Sequence, residues 1–127
     1  DTYNAGPESM AASLSVLRDM QADLKVAALG DMLELGTLSD VSHRNVGSLA
    51  SEVANVLHAF GPQSVIYYDT FAGQRKMHVP DSVEGARILL PVIREYAQKG
   101  LKIGVLVKGS NAIRMNVISE ALINNFT

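Results

Sequence analysis

The chain has 127 residues, of which 47% are hydrophobic and 19% are charged, and its formal net charge is −2. This length suits one domain with a single hydrophobic core, and the composition excludes disordered and fibrous proteins. The charge gives no basic surface for nucleic acid, and the absence of cysteine excludes disulfides and thiolate zinc sites. No apolar run approaches the roughly 20 residues of a membrane span and no segment resembles a signal peptide, so we expect a cytoplasmic location.

The first half of the chain predicts a helix, a strand and a second helix. A proline followed by apolar residues at helical spacing predicts a helix over 7–21. The apolar run 24–29 predicts a strand that is covered on both faces. Ser39 or Asp40 is expected to cap the second helix, which ends before Gly61. Its predicted core face consists of Val46, Leu49, Ala50, Val53, Leu57 and Phe60.

The second half predicts two strands, a short edge strand and further helices. β-Branched and aromatic residues favour a strand over 64–68, and 76–79 is the candidate edge strand. Asp81 begins a helix that Pro91 is expected to kink or split in two. The predicted core face of that helix consists of Val83, Ala86, Leu90, Ile93 and Ala97. The run 101–107 predicts the last strand, before a final helix with Ile113, Val117 and Ala121 on one side. The alternation predicts an α/β fold, Rossmann-like and doubly wound, with a mostly parallel sheet and helices on both faces.

Three loops carry polar residues, and we expect all three at the carboxyl edge of the sheet, where such sheets bind ligands. The first, residues 1–7, places Asp1, Tyr3 and Asn4 just before a helix N-terminus. That position attracts anions, and the Asp1 carboxylate can accept two hydroxyl hydrogen bonds such as those of a ribose. The alternative is a simple turn built of turn-forming residues. Because the chain begins inside this motif, we expect a domain of a longer protein.

The second loop, residues 30–36, interleaves Asp31 and Glu34 with three apolar residues. The apolar side chains predict a loop that folds back onto the core, with glycines at both ends supplying positive φ. That structure does not require two acids at the mouth of a strand. A ligand ammonium group or a partner domain would meet them there.

The third loop, Lys108-Gly109-Ser110, follows the last strand directly. It offers a cation, close access to the backbone and a hydroxyl, a combination that suits a carboxylate or a phosphate. The alternatives are that Ser110 only caps the next helix and that the Lys108 ammonium is solvated above its own stem.

Other signals of catalysis are missing from the sequence. His43, His58 and His78 share no metal-ligand spacing and none lies beside a nucleophile, so we expect surface or structural histidines and no metal site. Neither GxGxxG nor GxxxxGK[ST] occurs. We therefore expect no catalytic residue in this domain and no independent site for a nucleoside triphosphate.

Four strings, in order, resemble the C-terminal domain of the Mur ligase family. Residues 1–10 match D-[ST]-Y-N-A-N-P-x-S-M, 29–36 match L-G-D-M-x-E-L-G, 39–47 match S-x-x-x-H-x-x-V-G, and 107–110 match the start of V-K-G-S-R. Together they span nearly the whole chain, and four ordered matches are far more specific than one. The Tyr3-Asn4 pair favours the dipeptide-adding member over members with a D-Y-A-H-x-P string.

The resemblance implies an ATP-dependent amide ligase of three domains, with residues 1–127 as the C-terminal one. The N-terminal domain binds the UDP-sugar, and the central P-loop domain holds most of the ATP and Mg²⁺. ATP converts the carboxylate of UDP-N-acetylmuramoyl-tripeptide to an acyl phosphate, which the amine of D-alanyl-D-alanine attacks, in peptidoglycan precursor synthesis. The C-terminal domain closes over this centre, and in isolation we expect it to be inactive.

Carried over position by position, the resemblance places Asp1 at the ATP ribose, with Tyr3 and Asn4 at the junction between nucleotide and dipeptide. It assigns the following residues to the loops on the dipeptide side: Asp31, Glu34, Lys108, Gly109 and Ser110. No residue of this domain is expected to be catalytic or to bind metal.

The chain departs from the family pattern at Gly6 and Asn111, where Asn and Arg are usual. Without that Arg, the carboxylate of the acceptor is left to another group or to Arg114, one helical turn on. Two alternatives stay open. One is a free-standing α/β binding module, since fold alone does not settle function. The other is an amide ligase domain of the folylpolyglutamate-synthase type, against which the string at 30–36 argues.

Overall fold

A computed structural model describes residues 5–110 of the chain. The described helices are α1 (Pro7–Asp19), α2 (Ser39–Val53), α3 (Val65–Thr70) and α4 (Ser82–Gln98), and the strands are β1 (Leu24–Gly30), β2 (Val56–Phe60), β3 (Lys76–Val79) and β4 (Ile103–Lys108). All strand pairs are parallel, in the order β3-β2-β1-β4. The predicted α/β fold is confirmed. None of these helices is both long enough and apolar enough to cross a membrane.

The sheet is covered on both faces because successive side chains of each strand point to opposite sides. On one side, Ala27 and Leu29 of β1 lie in a core with residues of α1, α2 and α3. On the other side, Val26 and Ala28 of β1 lie in a core with Leu89 and Ile93 of α4. Both faces of β1 are therefore buried, which explains its nearly unbroken apolar run.

The strand order reverses between β1 and β4. Helices α2 and α3 lie on one face and carry the chain outward from β1 to β2 and β3, whereas α4 crosses the other face and brings β4 to the opposite side of β1. A crevice opens at the carboxyl ends of the two strands where such a reversal occurs, and ligands of this class of sheet bind there. The carboxyl ends of β1 and β4 are therefore the expected binding edge.

The N-terminus of helix α1 lies at the same edge. A short turn joins its last residue, Asp19, to the amino end of β1 at Leu24, and the helix packs on the sheet through Met10, Leu14 and Leu17. The helix therefore runs antiparallel to β1, and its N-terminus lies at the carboxyl edge. The predicted helix over 7–21 is confirmed, with two residues fewer at its end.

The segment between Ala54 and Thr70 differs from the prediction. Residues 56–60, predicted as the end of a helix, form the central strand β2, in which every residue is buried. Residues 64–68, predicted as a strand, form most of the short helix α3, where Tyr67 is buried and Val65 is exposed. Both errors have one cause: a short apolar run fits helical and extended periodicity equally well.

The start of α2 also differs from the prediction. Ser39 and Asp40 lie inside the first turn, and Leu38 occupies the cap position without a side-chain hydrogen bond. A single 3₁₀ turn, Gly36–Leu38, precedes the helix and supplies its entry. The Ser39 hydroxyl is therefore free for other partners and donates to the side chain of Gln63.

Helix α4 starts as predicted and ends at Gln98, close to the predicted end at Gly100. The Asp81 carboxylate accepts hydrogen bonds from the amides of the two residues that open the first turn, at 2.8 and 3.1 Å. The helix then runs through Pro91 without a break, so the predicted split is wrong. Pro91 is exposed, so the hydrogen bond that it removes is on the solvent side, where water replaces it. The predicted core face is rotated as well: Val83 and Ala97 are exposed, and Leu89 rather than Leu90 is fully buried.

The two remaining strand predictions are confirmed. Residues 76–79 form β3 at one end of the described sheet order, paired with β2. The run 101–107 forms β4, shifted slightly to Ile103–Lys108. The helix predicted after Ser110 lies outside the described residues.

Candidate functional site

Two of the predicted loops meet at the reversal point of the sheet. Leu29 pairs with Lys108 in the register of β1 and β4, so the loops that follow start side by side. The Ser110 amide donates to the Asp31 carbonyl at 3.0 Å, and the Leu33 amide donates to Ser110 Oγ at 3.2 Å. The expectation that these loops share one edge is confirmed.

The first loop is described only from Ala5 onward. Ala5 is buried in the same core as Met32 of the second loop, so the start of α1 lies beside that loop. Gly6 holds the cap position of α1 and offers no side-chain acceptor. Asp1, Tyr3 and Asn4, the predicted nucleotide and junction residues, lie outside the described residues.

Asp31 is fully buried and both of its carboxylate oxygens accept hydrogen bonds from the start of α3. Oδ1 accepts from the Ser64 hydroxyl at 2.6 Å, and Oδ2 accepts from the Gln63 amide at 3.2 Å. A buried carboxylate is stable only when such donors replace water. Asp31 therefore ties the end of β1 to the turn before α3.

The turn that meets Asp31 requires a glycine. Gly61 has φ +116°, and a Cβ at that position would lie 2.5 Å from Asp31 Oδ1. Only glycine combines this backbone conformation with so close an approach. The turn between β2 and α3 is thus shaped around the Asp31 carboxylate.

Tyr67 forms a hydrogen bond with the same end of β1. It is fully buried, and its hydroxyl donates to the Gly30 carbonyl at 3.0 Å. Burial, together with repulsion from the Asp31 carboxylate, raises the pKa of Tyr67 well above its usual value. The phenol therefore stays protonated and keeps this hydrogen bond at any physiological pH.

His43 of α2 holds the next residue of the loop. Its Nε2 accepts the Met32 amide at 3.1 Å, and its Nδ1 lies 2.7 Å from the Ser39 carbonyl. The ring is fully buried and packs against Tyr67, with the ring centroids 5.2 Å apart. Backbone groups on either side of Asp31 are therefore held by α2 and α3 together.

The tip of the second loop faces solvent. Glu34 is exposed and has φ +63°, a conformation that costs a residue with a side chain about 1 kcal/mol or more. Gly36 has φ +57°, whereas Gly30 ends β1 in extended conformation, so only one of the two glycines supplies positive φ as predicted. Met32 is buried in the core and Leu35 packs partly against it, as the folded-back loop predicted. The Glu34 carboxylate is left at the open edge.

Lys108, at the end of β4, is 3% exposed. Among residues 5–110, no side chain or carbonyl forms a hydrogen bond or an ion pair with its ammonium group. Gly109 and Ser110 are buried as well. The structure thus places a largely buried lysine side chain at the reversal point.

Sequence patterns did not identify the residues that support the site. Ser64 and Tyr67 fell in a segment predicted as a strand, Gln63 directly preceded it, and His43 was expected only to be a surface or structural histidine. One available signal was the Gly61-Pro62 pair, which ends an element and leaves the following serine free to start a helix. Another was the spacing of four between Ser39 and His43, which places both on one helix face.

Among residues 5–110, no group of three or more His, Asp or Glu side chains is arranged to hold a metal ion. The residues predicted to meet the ribose precede Ala5. The described edge offers a largely buried lysine, an exposed carboxylate and a loop held by hydrogen bonds, which together suit a small zwitterion with separated charges.

The chain matches the family model described as Mur ligase, glutamate ligase domain, over residues 1–111. It is 32% identical over 123 residues to the UDP-N-acetylmuramoyl-tripeptide–D-alanyl-D-alanine ligase of Haemophilus influenzae, covering 96% of this chain and 26% of that protein. With the ligase of the same name from Escherichia coli it is 33% identical over 129 residues, covering 100% of this chain and 27% of that protein. The chain spans about a quarter of the length of these curated relatives.

Solved structures have the same fold. A crystal structure of MurF from Acinetobacter baumannii matches with a TM-score of 0.82 and 27% identity, covering 98% of this chain and 26% of that one. The MurF ligase of Thermotoga maritima, solved in complex with ADP, matches with a TM-score of 0.75 and 25% identity, covering 98% of this chain and 27% of that one.

Proposed function

The chain belongs to the Mur ligase family, and from that premise we propose that residues 1–127 serve as the C-terminal domain of a three-domain ligase. That ligase joins D-alanyl-D-alanine to UDP-N-acetylmuramoyl-tripeptide in the cytoplasm, using ATP and Mg²⁺ bound mainly by its central domain. The proposal is supported by curated relatives that carry this activity in their names and by a solved MurF structure with the same fold, all about four times as long as the chain.

The observation that carries the proposal is the Lys108 side chain, which is 3% exposed and lies at the end of β4, at the reversal point of the sheet. A cation that is largely withdrawn from water favours an arriving anion. In our proposal that anion is the carboxylate of D-alanyl-D-alanine. Gly109 gives the dipeptide close access to the backbone, and Ser110 holds the neighbouring loop through its hydroxyl.

The remaining residues have distinct roles in the proposal. Glu34, exposed at the loop tip, faces the ammonium end of the incoming dipeptide. Asp31 acts indirectly, because its carboxylate is occupied by Ser64 and Gln63 and fixes the loop that carries Glu34. Asp1 meets the ATP ribose, and Tyr3 and Asn4 line the junction, as the family strings imply.

In the proposed reaction this domain only positions the dipeptide. ATP phosphorylates the tripeptide carboxylate to an acyl phosphate. The dipeptide amine then attacks the carbonyl carbon of the acyl phosphate. A C–N bond forms as phosphate leaves, and the amine loses a proton. A fixed carboxylate end orients the amine at the reacting carbon, and such orientation lowers the barrier without any catalytic group from this domain.

We expect Lys108→Met in the full-length ligase to lower kcat/KM for D-alanyl-D-alanine at least tenfold, about 1.4 kcal/mol. Methionine keeps most of the stem and removes the charge, so packing changes little. The matched control is Lys102→Met, which removes an exposed lysine near the start of the same strand. The measurement is dipeptide-dependent phosphate release, with a melting curve of each variant and the isolated 127-residue chain as an inactive blank.

Full activity of Lys108→Met with a lowered melting temperature would show that Lys108 has a structural role. The proposal would then lose its main support. Equal losses in Lys108→Met and Lys102→Met would also contradict the proposal, because only Lys108 lies at the reversal point. Phosphate release by the isolated chain above a no-protein control would overturn the assignment of ATP to another domain.

A further inference from the structure

His43 is the one described side chain that connects α2 to the backbone of the second loop. The third family string includes His43 but assigns it no role. We propose that His43 is a positioning residue: by accepting the Met32 amide hydrogen bond it fixes the Asp31 to Gly36 loop for the amine acceptor. This inference rests on the proposed function for its kinetic consequence, while the hydrogen bond itself is independent of it.

The two hydrogen bonds of the ring define its protonation state. A carbonyl oxygen only accepts, so the 2.7 Å contact with the Ser39 carbonyl puts the proton on Nδ1. Nε2 is then the acceptor that the Met32 amide requires at 3.1 Å. The ring is neutral in this arrangement, and both of its nitrogens are used. A second proton on Nε2 would point at the Met32 N–H and break the contact.

The surroundings fix the ring in place. His43 is fully buried, and the ring of Tyr67 lies against it at an angle of 38° between the planes. Helices α2 and α3 approach closely at Gly47, where a Cβ would lie 1.9 Å from Thr70 Oγ1. Because the helix pair cannot shift apart without losing this packing, Nε2 is presented to Met32 at a defined position.

Loss of this bond would act on the loop tip and on the Lys108 loop together. Met32 is buried, so an unpaired amide there costs about 1 to 3 kcal/mol unless the loop moves toward water. Leu33, the next residue, donates to Ser110 Oγ. A shift at Met32 therefore reaches Ser110 on one side and the strained Glu34 on the other, which are the groups that frame the proposed dipeptide site.

Two polar substitutions of similar size separate the two bonds of the ring. In His43→Asn the carboxamide ends near the position of Nδ1, so it keeps the contact with the Ser39 carbonyl and loses Met32. In His43→Gln the carbonyl oxygen reaches the position of Nε2 and accepts the Met32 amide. A role in packing alone would make the two variants alike.

In the full-length ligase we expect His43→Asn to raise KM for D-alanyl-D-alanine at least fivefold, with KM for ATP changed less than twofold. His43→Gln should stay within twofold of the wild type in both constants. In the isolated chain, the Met32 amide of His43→Asn should exchange with solvent at least tenfold faster than in His43→Gln, measured by NMR. Amides in the middle of β1 should keep their wild-type protection in both variants.

Equal KM values for the two variants, or an ATP effect as large as the dipeptide effect, would overturn the positioning role. Equal exchange rates at Met32 would overturn the hydrogen bond itself. If the wild-type ligase shows no dipeptide-dependent activity while the exchange rates differ as expected, the proposed function fails and the hydrogen bond stands. The two failures are therefore distinguishable.

Discussion

Asp31→Ala should lower the free energy of unfolding of the chain by about 2 to 3 kcal/mol, whereas Glu34→Ala should change it by less than about 0.5 kcal/mol. Asp31 is buried and accepts from Ser64 Oγ and the Gln63 amide, so alanine leaves a cavity and strands the amide donor. Glu34 is exposed, and alanine has the same difficulty with φ +63° as glutamate does. The measurement is urea unfolding with a shared m value.

The same pair of variants separates stability from binding in the full-length ligase. Glu34→Ala should weaken use of D-alanyl-D-alanine without loss of stability, since its carboxylate faces the open edge. An Asp31→Ala protein that unfolds like the wild type would contradict the structural role of Asp31. In that case the Asp31 carboxylate would again be a candidate for direct contact with the dipeptide.

Acid should destabilise the fold by up to about 3 kcal/mol through His58. This residue lies on β2, 3% exposed, and none of the residues 5–110 offers its Nδ1 a hydrogen-bond partner. Burial lowers the pKa of His58 from 6.5 to about 4. The folded state therefore binds the proton less readily than the unfolded chain does.

The pH window follows from these two values. Above pH 6.5 the ring is neutral in both states and stability is complete; as the pH falls toward 4, only the unfolded chain takes up the proton, and stability declines. Below about 4 both states are protonated and this loss stops growing. Carboxylates also titrate near the lower end, so the comparison must be with a variant that lacks the ring.

In His58→Leu, the loss of unfolding free energy between pH 7 and pH 4.5 should shrink by about 2 kcal/mol relative to the wild type. His78→Gln is the control, because it removes a second histidine ring of the same sheet, whose Nε2 donates to the Gly61 carbonyl. Urea unfolding at several pH values measures both. The same pH dependence in His58→Leu and the wild type would show that the buried ring does not govern acid sensitivity.

The fold class followed from the sequence because alternation of helices and buried strands depends on long-range pattern. The types of the individual elements near residue 60 did not follow from the sequence. In β2 the apolar residues continue the helical spacing of α2, and the break falls at Ala54 and Asn55, neither of which is a strong helix breaker. What marks the break is tertiary: Asn55 exchanges hydrogen bonds with Lys25 of β1, 30 residues earlier.

Some features of the site could also be predicted from the sequence, and others could not. That the second and third loops meet followed from the common edge of a parallel sheet. The hydrogen bonds of Asp31 within the protein did not, because its partners Gln63 and Ser64 are 32 and 33 residues away, at the start of a helix that was predicted as a strand. The burial of Lys108 likewise depends on the packing of elements distant in sequence. Local patterns identify residues with the right chemistry, and packing decides which of them face a ligand.

The most direct test of the account is the position of the dipeptide in a crystal structure of the full-length ligase with ADP and D-alanyl-D-alanine. The distance to measure runs from Lys108 Nζ to the nearer oxygen of the dipeptide carboxylate. We predict about 3 Å, the length of a charge-assisted hydrogen bond. A dipeptide whose carboxylate is bound by other groups, more than about 6 Å from Lys108 Nζ and beyond any direct hydrogen bond, would contradict the account.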